Sequence, residues 1–229
     1  MTSEDFSNMV NWDNLFNQSD NFKNSKPFSF GFIENFFTDK FYDNLYETYP
    51  KIDETWITSS AMSKYQQYKT WNNVQINDVK DDPGNDPSFS EYFNKLKRYA
   101  ESKEFVSNFR EFSGVPVNKF KKINFVGYEK GGFQYPHIHN NGPNTLIIML
   151  YFSKGWNKGD PGGTYMASEE DESKIIFEPH NLNNSIALFH DGPMAAHGVR
   201  YITKDVTRQG MQIVLEEYYE DKGSWSSVN

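Results

Sequence analysis

The chain has 229 residues, no cysteine and a formal net charge of −8 at pH 7. This length is enough for one domain with a sizeable hydrophobic core, and the missing cysteines exclude disulfides, zinc–thiolate sites and cysteine nucleophiles. The acidic balance argues against a nucleic-acid partner, because such proteins need a basic face. No apolar run approaches the roughly 18 residues of a membrane span. We therefore expect a soluble, cytoplasmic protein with no membrane or nucleic-acid partner.

The N-terminal segment differs in composition from the rest of the chain. Residues 1–25 are rich in Asn, Ser and Asp and show no clear period, which predicts a flexible or loosely docked arm. The alternative is that three aromatic residues anchor this arm to the body, namely Phe6, Trp12 and Phe16. The run PFSFGFIENFF after Lys26 is short and strand-like. Thr38 is the expected N-cap of an amphipathic helix that ends before Pro50.

The rest of the first half is predicted to be a loop followed by helices. Residues 51–87 are polar and include the breaker DDPGNDP, so we expect a loop there. Apolar residues at helical spacing then predict one helix beginning at Ser88 and another ending at Gly114. Helices therefore dominate this half of the predicted structure.

Short apolar runs of strand length dominate the second half of the chain. Turns rich in Gly, Pro, Asn and Asp separate them, and no helical pattern lies between them. This arrangement predicts a sandwich or small barrel, including the jelly roll, and argues against a parallel βαβ fold. The predicted strands are residues 119–128, 145–152, 174–177, 185–189, 198–202 and 211–219.

All five histidines lie between His137 and His197. His137 and His139 are two residues apart, and on one strand such residues project from the same face. Both imidazoles can then reach one metal ion, with His197 supplied by another strand. Imidazole is a common ligand for first-row transition metals, and three ligands on one face leave open coordination positions. An isolated His-x-His pair, however, is as typical of surface histidines as of a metal site.

The residues around these histidines follow a recognisable order, and that order resembles the iron(II)/2-oxoglutarate-dependent oxygenases, especially their prolyl 4-hydroxylase-like branch. The family pattern is Tyr-x-x-Gly, His-x-Asp, an apolar strand ending in Tyr-Leu, a Trp, a Gly-Gly pair, a distal His and a later Arg or Lys. The resemblance covers residues 115–220 closely and the helical first half more loosely. The residues that carry it are Tyr128, Gly131, His137, Tyr151, Trp156, Gly162, Gly163, His197 and Arg208.

The resemblance implies a mainly β fold with flanking helices. Its core is expected to be a double-stranded β-helix, of the jelly-roll or cupin-like kind, over residues 116–220. A helical support over residues 26–115 packs against this core, and residues 26–229 form a single oxygenase domain behind the N-terminal arm.

The resemblance also implies a role for each site residue. His137 and His197 are the expected iron ligands, with His139 as the third. Arg208 is expected to pair with the distal carboxylate of 2-oxoglutarate, since its planar guanidinium matches a carboxylate. Tyr151 and Tyr128 are expected to line the same pocket. Trp156 and the Gly162–Gly163 pair are expected to be structural, and His180 and His190 are not expected to be ligands.

The chain departs from the family at the third ligand position. The family normally has a carboxylate there, whereas this chain has His139, and residues 140–144 contain no acid. Three arrangements are open: His139 ligates the metal, it swings away and leaves the position to water or an anion, or the centre is inactive. An imidazole would crowd the space that halogenases of the family use for chloride, which disfavours halogenation.

The implied enzyme uses Fe(II), 2-oxoglutarate and O2 to hydroxylate a C–H bond of a peptidyl proline, an amino acid or another small molecule. One alternative is a three-histidine dioxygenase that acts directly on a chelating substrate. In that enzyme Arg208 would hold the substrate's carboxylate. A second alternative is a non-catalytic, metal-binding β-helix domain. The segment 51–87 and the turns at 140–144 and 153–163 are expected to determine the substrate.

Overall fold

Eleven antiparallel strands form one curled sheet in the computed structural model, which describes residues 4–74, 81–139 and 142–228. This is the mainly β, jelly-roll fold that the sequence predicted. The strands are β1 (Phe30–Glu34), β2 (Ile57–Ala61), β3 (Lys64–Lys69), β4 (Lys119–Tyr128), β5 (Phe133–His137), β6 (Thr145–Phe152), β7 (Thr164–Ala167), β8 (Ile175–Phe177), β9 (Asn183–Asp191), β10 (Ala196–Val199) and β11 (Arg208–Glu216). Their order is β1-β9-β6-β11-β4-β3-β5-β10-β7-β8, with β2 paired to β3. Two short strands, β12 (Tyr218–Tyr219) and β13 (Ser224–Trp225), pair separately.

Alternation along the strands divides their side chains between two faces of the sheet. On β6, Leu146, Ile148 and Leu150 join the core shared with the helices. Ile147 and Met149 belong instead to a second cluster inside the curl. Every residue of β6 is buried, because the strand lies between the helices and the interior. This double burial explains the continuous apolar run in its sequence.

The helices pack on the outer face of the sheet and begin and end where their caps dictate. Ser90 caps α4 by accepting a hydrogen bond from the backbone N–H of Phe93, and Ser102 caps α5 in the same way. Gly114 ends α5 with a left-handed φ of 71°, which glycine adopts without steric cost. The predicted helices are therefore confirmed. The α-helices of the described residues are α1 (Trp12–Phe16), α2 (Ser19–Asn24), α3 (Asp39–Glu47), α4 (Glu91–Ala100) and α5 (Lys103–Ser113).

One helix boundary and one capping contact differ from the sequence prediction. α4 begins at Glu91 instead of Ser88, because the Asp86 carboxylate accepts hydrogen bonds from the backbone and hydroxyl of Ser88. Thr38 precedes α3 as predicted, but its hydroxyl donates to the Asn8 carbonyl at 2.7 Å instead of capping the helix.

The N-terminal segment is packed on the body, so the prediction of a flexible arm is wrong for residues 4–25. This segment contains α1 and α2, and its side chains Leu15 and Phe22 are buried in the main core. Trp12 Nε1 donates a hydrogen bond to the Tyr99 hydroxyl at 2.9 Å. Scattered aromatic residues therefore anchor a segment whose average composition is polar.

The predicted loop at 51–87 contains a hairpin that belongs to the sheet. β2 and β3 form it, and β3 pairs with both β4 and β5. The prediction of a loop is wrong here because the hairpin is polar on both faces, and only Gln67 is buried in β3. Long-range pairing, not hydrophobic alternation, holds it in place.

Several strand boundaries also differ from the prediction, and parts of two predicted segments lie outside the described residues. β10 ends at Val199, before the predicted run is complete, and β7 was not predicted. Residues 75–80 and residues 140 and 141 are not among those described. None of the helices within the described ranges has the length and apolar character needed to cross a membrane.

Candidate functional site

The curled sheet encloses a cavity of about 500 Å3. Its wall combines apolar side chains of β6 and β9, such as Met149 and Phe189, with polar side chains of β3, β4 and β11. His137, His139 and His197 all face into it. The lining is mostly polar, with the apolar side chains confined to part of the wall, and the volume is within the range of small-molecule sites.

The structure brings together the three histidines that the sequence singled out. His137 and His197 are paired across β5 and β10, with ring centroids 4.3 Å apart. His137 Nε2 lies 3.1 Å from His139 Nε2. One ligand atom from each of the three residues lies within 4.8 Å of the others. Among the described residues, these three histidines form the cluster of possible metal ligands whose spacing fits a metal ion.

His139 reaches the cluster by a different route from the one predicted. β5 ends at His137, so His137 and His139 are not both on a strand as the His-x-His spacing had predicted. The chain leaves the sheet at Ile138, whose backbone N–H donates to the Glu170 carboxylate at 3.0 Å. His139 therefore reaches the cluster from the residues that follow β5, and not from the strand itself.

The hydrogen bonds of the imidazoles direct their Nε2 atoms into the cluster. His137 Nδ1 lies 3.0 Å from the Tyr135 carbonyl, and His197 Nδ1 lies 2.8 Å from the Ala195 carbonyl. A carbonyl oxygen only accepts, so both Nδ1 atoms carry the proton and both Nε2 atoms keep a lone pair. His139 Nδ1 faces the Asp191 carboxylate at 3.3 Å. Outer partners of this kind orient metal-binding histidines.

The environment keeps at least two of these imidazoles neutral. Burial, reinforced by the neighbouring His137 and His139, holds the pKa of His197 well below its ordinary value. Burial and His139 lower the pKa of His137 in the same direction. Only a neutral imidazole binds a metal ion. The donor set therefore fits a divalent first-row metal such as Fe(II).

Arg208 is a buried cation without a carboxylate partner among the described residues. It is 0 % exposed, and its Nε and Nη2 donate to the Gly162 carbonyl and the Thr164 hydroxyl, both at 3.1 Å. Its Nη1 makes no hydrogen bond within the described ranges. An unpaired buried charge costs several kcal/mol, so this guanidinium fits a site that is completed by an anionic ligand.

Two tyrosines flank the guanidinium. Arg208 Cζ lies 5.0 Å from the ring centroid of Tyr128 and 4.9 Å from that of Tyr151. Burial raises the pKa of Tyr128 to about 12 and raises the pKa of Tyr151, so both stay neutral phenols. The Tyr151 hydroxyl accepts from the backbone N–H of Thr164 at 3.0 Å. Neither tyrosine neutralises Arg208, and both contact it through their rings.

The Gly162–Gly163 pair and Trp156 support this pocket. The Trp156 indole donates to the Pro161 carbonyl at 3.0 Å. A Cβ at Gly162 would lie 2.8 Å from the indole nitrogen, and one at Gly163 would lie 2.2 Å from the Pro179 carbonyl. Only glycine fits these close approaches. The pair lets the chain pass close enough for the Gly162 carbonyl to hold Arg208.

Four polar residues of the site were missed by the sequence analysis. Gln134 Nε2 lies 3.2 Å from His137 Nε2, and the Tyr128 hydroxyl donates to Gln66 at 2.6 Å. Thr164 holds Arg208, and Asp191 faces His139. None of these residues belongs to a sequence motif. The one signal in the sequence is that Asp191 follows directly on the apolar run SIALF and His190.

The other two histidines lie away from the cluster. His180 is exposed beside Phe32, with ring centroids 6.4 Å apart. The Nε2 of His190 contacts the Pro143 carbonyl. Neither belongs to the group that fits a metal ion among the described residues.

No protein-family profile matches this sequence, and no curated protein matches it. Solved structures do match. A prolyl-4-hydroxylase from Pseudomonas putida is similar with a TM-score of 0.62 and 13% identity, covering 90% of this chain and 100% of that one. A prolyl hydroxylase from Trichoplax adhaerens, solved with a peptide fragment of the hypoxia inducible factor oxygen degradation domain, has a TM-score of 0.60, 14% identity and coverage of 93% and 90%.

A third similar structure is HygX from Streptomyces hygroscopicus with nickel, 2-oxoglutarate and hygromycin B bound. Its TM-score is 0.53 at 12% identity, and the match covers 82% of each chain. At these identities the comparisons establish the fold. The chain therefore has the fold of the 2-oxoglutarate/iron oxygenases, as its residue order had predicted, and its function has to be argued from the site.

Proposed function

We propose that this protein is an Fe(II)- and 2-oxoglutarate-dependent oxygenase that hydroxylates a C–H bond. The observation that carries the proposal is the combination of two groups around one cavity. Three imidazoles converge there with lone pairs on Nε2, and the buried guanidinium of Arg208 contacts the cavity residues Tyr128 and Thr164 without a carboxylate partner among the described residues. A metal chelate with a distal carboxylate would satisfy both.

His137, His139 and His197 would hold the iron. When bound, the iron activates O2 for C–H hydroxylation, with 2-oxoglutarate as the two-electron reductant that becomes succinate and CO2. Facial binding by three residues leaves positions open for these small molecules. The protein's part is to keep the imidazoles neutral and aimed, as the carbonyl and carboxylate contacts of their Nδ1 atoms do.

Arg208 would bind the distal carboxylate of 2-oxoglutarate. Its Nη1 is the donor left for a ligand, since Nε and Nη2 are held by Gly162 and Thr164. Neutral phenols at Tyr128 and Tyr151 add no competing negative charge. A charge-assisted hydrogen bond in this buried setting gives both affinity and orientation.

The substrate is proposed to be a peptide or a small molecule that enters the same cavity. Proteins of the same fold have been solved with a peptide fragment and with hygromycin B, and the cavity of about 500 Å3 is large enough for one residue or a small ring system. Apolar side chains such as Ile147, Met149 and Phe189 would exclude water from the reacting C–H bond.

The third imidazole favours a second candidate, a three-histidine dioxygenase that acts directly on a chelating substrate. In that enzyme Arg208 would hold a carboxylate of the substrate itself. The two candidates share the metal centre and differ in the need for 2-oxoglutarate. A metal-binding domain without turnover is the outcome if neither oxidation is found.

Anaerobic titration of the Fe(II)-loaded protein with 2-oxoglutarate tests the proposal. A saturable visible charge-transfer band, followed by succinate formation when O2 is admitted, is the expected result. Absence of the band with iron confirmed to be bound would overturn the use of 2-oxoglutarate and favour the direct dioxygenase. A protein that binds no divalent metal would overturn both candidates.

A further inference from the structure

We propose that Asp191 is a positioning residue of the metal centre. Its carboxylate would hold the His139 imidazole with Nε2 facing the metal, and would supply a negative charge that three neutral histidines lack. The inference rests on the proposed function only in taking the three histidines as ligands of a divalent metal ion. Under this inference His139 coordinates the metal ion together with His137 and His197.

The contact between Asp191 and His139 is built into the fold. Asp191 Oδ2 lies 3.3 Å from His139 Nδ1, and the Asp191 side chain is 0 % exposed. A buried carboxylate is costly unless partners compensate its charge. A carboxylate facing Nδ1 favours the proton on that nitrogen, which leaves the lone pair on Nε2. His139 then presents the same atom to the cluster as the other two histidines.

The fold fixes Asp191 at the end of β9. Strand alternation places Ala187, Phe189 and Asp191 on one face, and the first two belong to the cluster inside the curl. Asp191 is paired with Thr145 of β6. The Phe189 ring lies 4.3 Å from the His197 ring. The strand that packs against one ligand therefore also carries the carboxylate that faces another.

His139 differs from the other two histidines in what holds it. The Nδ1 atoms of His137 and His197 lie against backbone carbonyls two residues earlier in the chain. Within the described part of the chain, His139 Nδ1 lies instead against the Asp191 side chain. A backbone carbonyl is present whatever the sequence, whereas a carboxylate must be encoded. His139 is therefore the ligand that a single side-chain substitution can release.

The test compares the metal affinity of Asp191→Asn with that of a matched control. Asparagine preserves the shape of the side chain but removes its charge. Glu216→Gln is the control, because Glu216 is also 0 % exposed in the same sheet and contacts a cation, Lys121. Its side-chain contacts among the described residues are with Lys121, Ser226 and Ser227 and with none of the three histidines. The dissociation constant for Co(II) is measured by competition with a chromophoric chelator. We expect roughly 10–100-fold weaker binding for Asp191→Asn and unchanged binding for Glu216→Gln.

A double-mutant cycle separates positioning from a general structural effect. If Asp191 acts through His139, Asp191→Asn costs no further affinity in a His139→Ala background. Asp191→Glu, which keeps the charge, is expected to retain more affinity than Asp191→Asn. If Asp191→Asn shows no cooperative thermal transition, Asp191→Ser takes its place in the cycle.

The outcomes distinguish this inference from the proposed function. Wild-type affinity in Asp191→Asn, or equal losses in both backgrounds, would overturn the role of Asp191 while leaving the metal centre intact. A wild-type protein that does not bind Co(II) would overturn the proposed metal centre itself.

Discussion

Among the described residues, the helical layer and the interior of the curled sheet each contain a buried cation, and the surroundings of the two cations are opposite. In the helical layer, Lys97 is 1 % exposed and forms ion pairs with Asp82 at 3.0 Å and Glu101 at 2.6 Å. In the sheet, Arg208 is 0 % exposed and has no carboxylate partner among the described residues. The paired lysine is part of the fold, whereas the unpaired arginine lacks the anion that would compensate its charge.

The largest expected difference between the two cations is in 2-oxoglutarate binding, which should depend on Arg208 and not on Lys97. Arg208→Met removes the guanidinium but keeps a similar apolar volume. We expect the affinity of the metal-loaded protein for 2-oxoglutarate to fall at least about 30-fold, since a buried charge-assisted interaction contributes roughly 2–5 kcal/mol. Isothermal titration calorimetry measures it, and Co(II) binding is the control that should stay unchanged. Undiminished 2-oxoglutarate affinity would show that Arg208 is not the anion site.

The second difference between the two cations is in how much 2-oxoglutarate stabilises the folded protein. At a 2-oxoglutarate concentration about 100 times the dissociation constant, the metal-loaded protein should gain about 2.7 kcal/mol of unfolding free energy. Arg208→Met should lose most of this gain, and Lys97→Met should retain it. Thermal unfolding with and without 2-oxoglutarate provides the measurement. Equal gains in both variants would remove the distinction between the two cations.

The third prediction concerns Lys97 itself. Lys97→Met leaves the Asp82 and Glu101 carboxylates without their cation, and we expect a loss of about 1–3 kcal/mol of unfolding free energy. The loss is limited because the Asp82 side chain is 70% exposed and reaches water. Arg208→Met, by contrast, breaks no ion pair with a described residue and should be neutral or stabilising in the ligand-free protein. Urea denaturation of the two variants compares them directly.

The smallest predicted effect is on pH dependence. His197 has a folded-state pKa below its unfolded value because of burial, so the unfolded state binds more protons as the pH falls. The contribution of His197 to the free energy of unfolding is therefore fully present above about pH 6.5 and is lost as the pH drops below that value. The free energy of unfolding then changes by at most about 1.4 kcal/mol per pH unit. His197→Gln should flatten this slope in metal-free protein. Urea denaturation between pH 5 and 7 checks it, and an unchanged slope would contradict the prediction.

The sequence determined the class of fold and much of the site. Turn-separated apolar runs are typical of an antiparallel core because each strand must bury at least one face, and Gly114 ended a helix for a local conformational reason. His137, His197 and Arg208 were predicted to be site residues from their order along the chain, which resembles that of a known family. These features depend on neighbouring residues or on the order of residues along the chain, so they can be predicted without knowing which residues are close in space.

Only the tertiary structure decided the features that depend on distant partners. The polar hairpin of β2 and β3 joins the sheet through backbone pairing, which has no hydrophobic signature. His139 enters the cluster from the segment that follows β5, and Asp191 faces it from 52 positions further along the chain. Whether Arg208 had a carboxylate partner was likewise undecided by its position in the chain. Burial and charge compensation depend on three-dimensional neighbours, and neighbours so distant in sequence leave no periodic pattern.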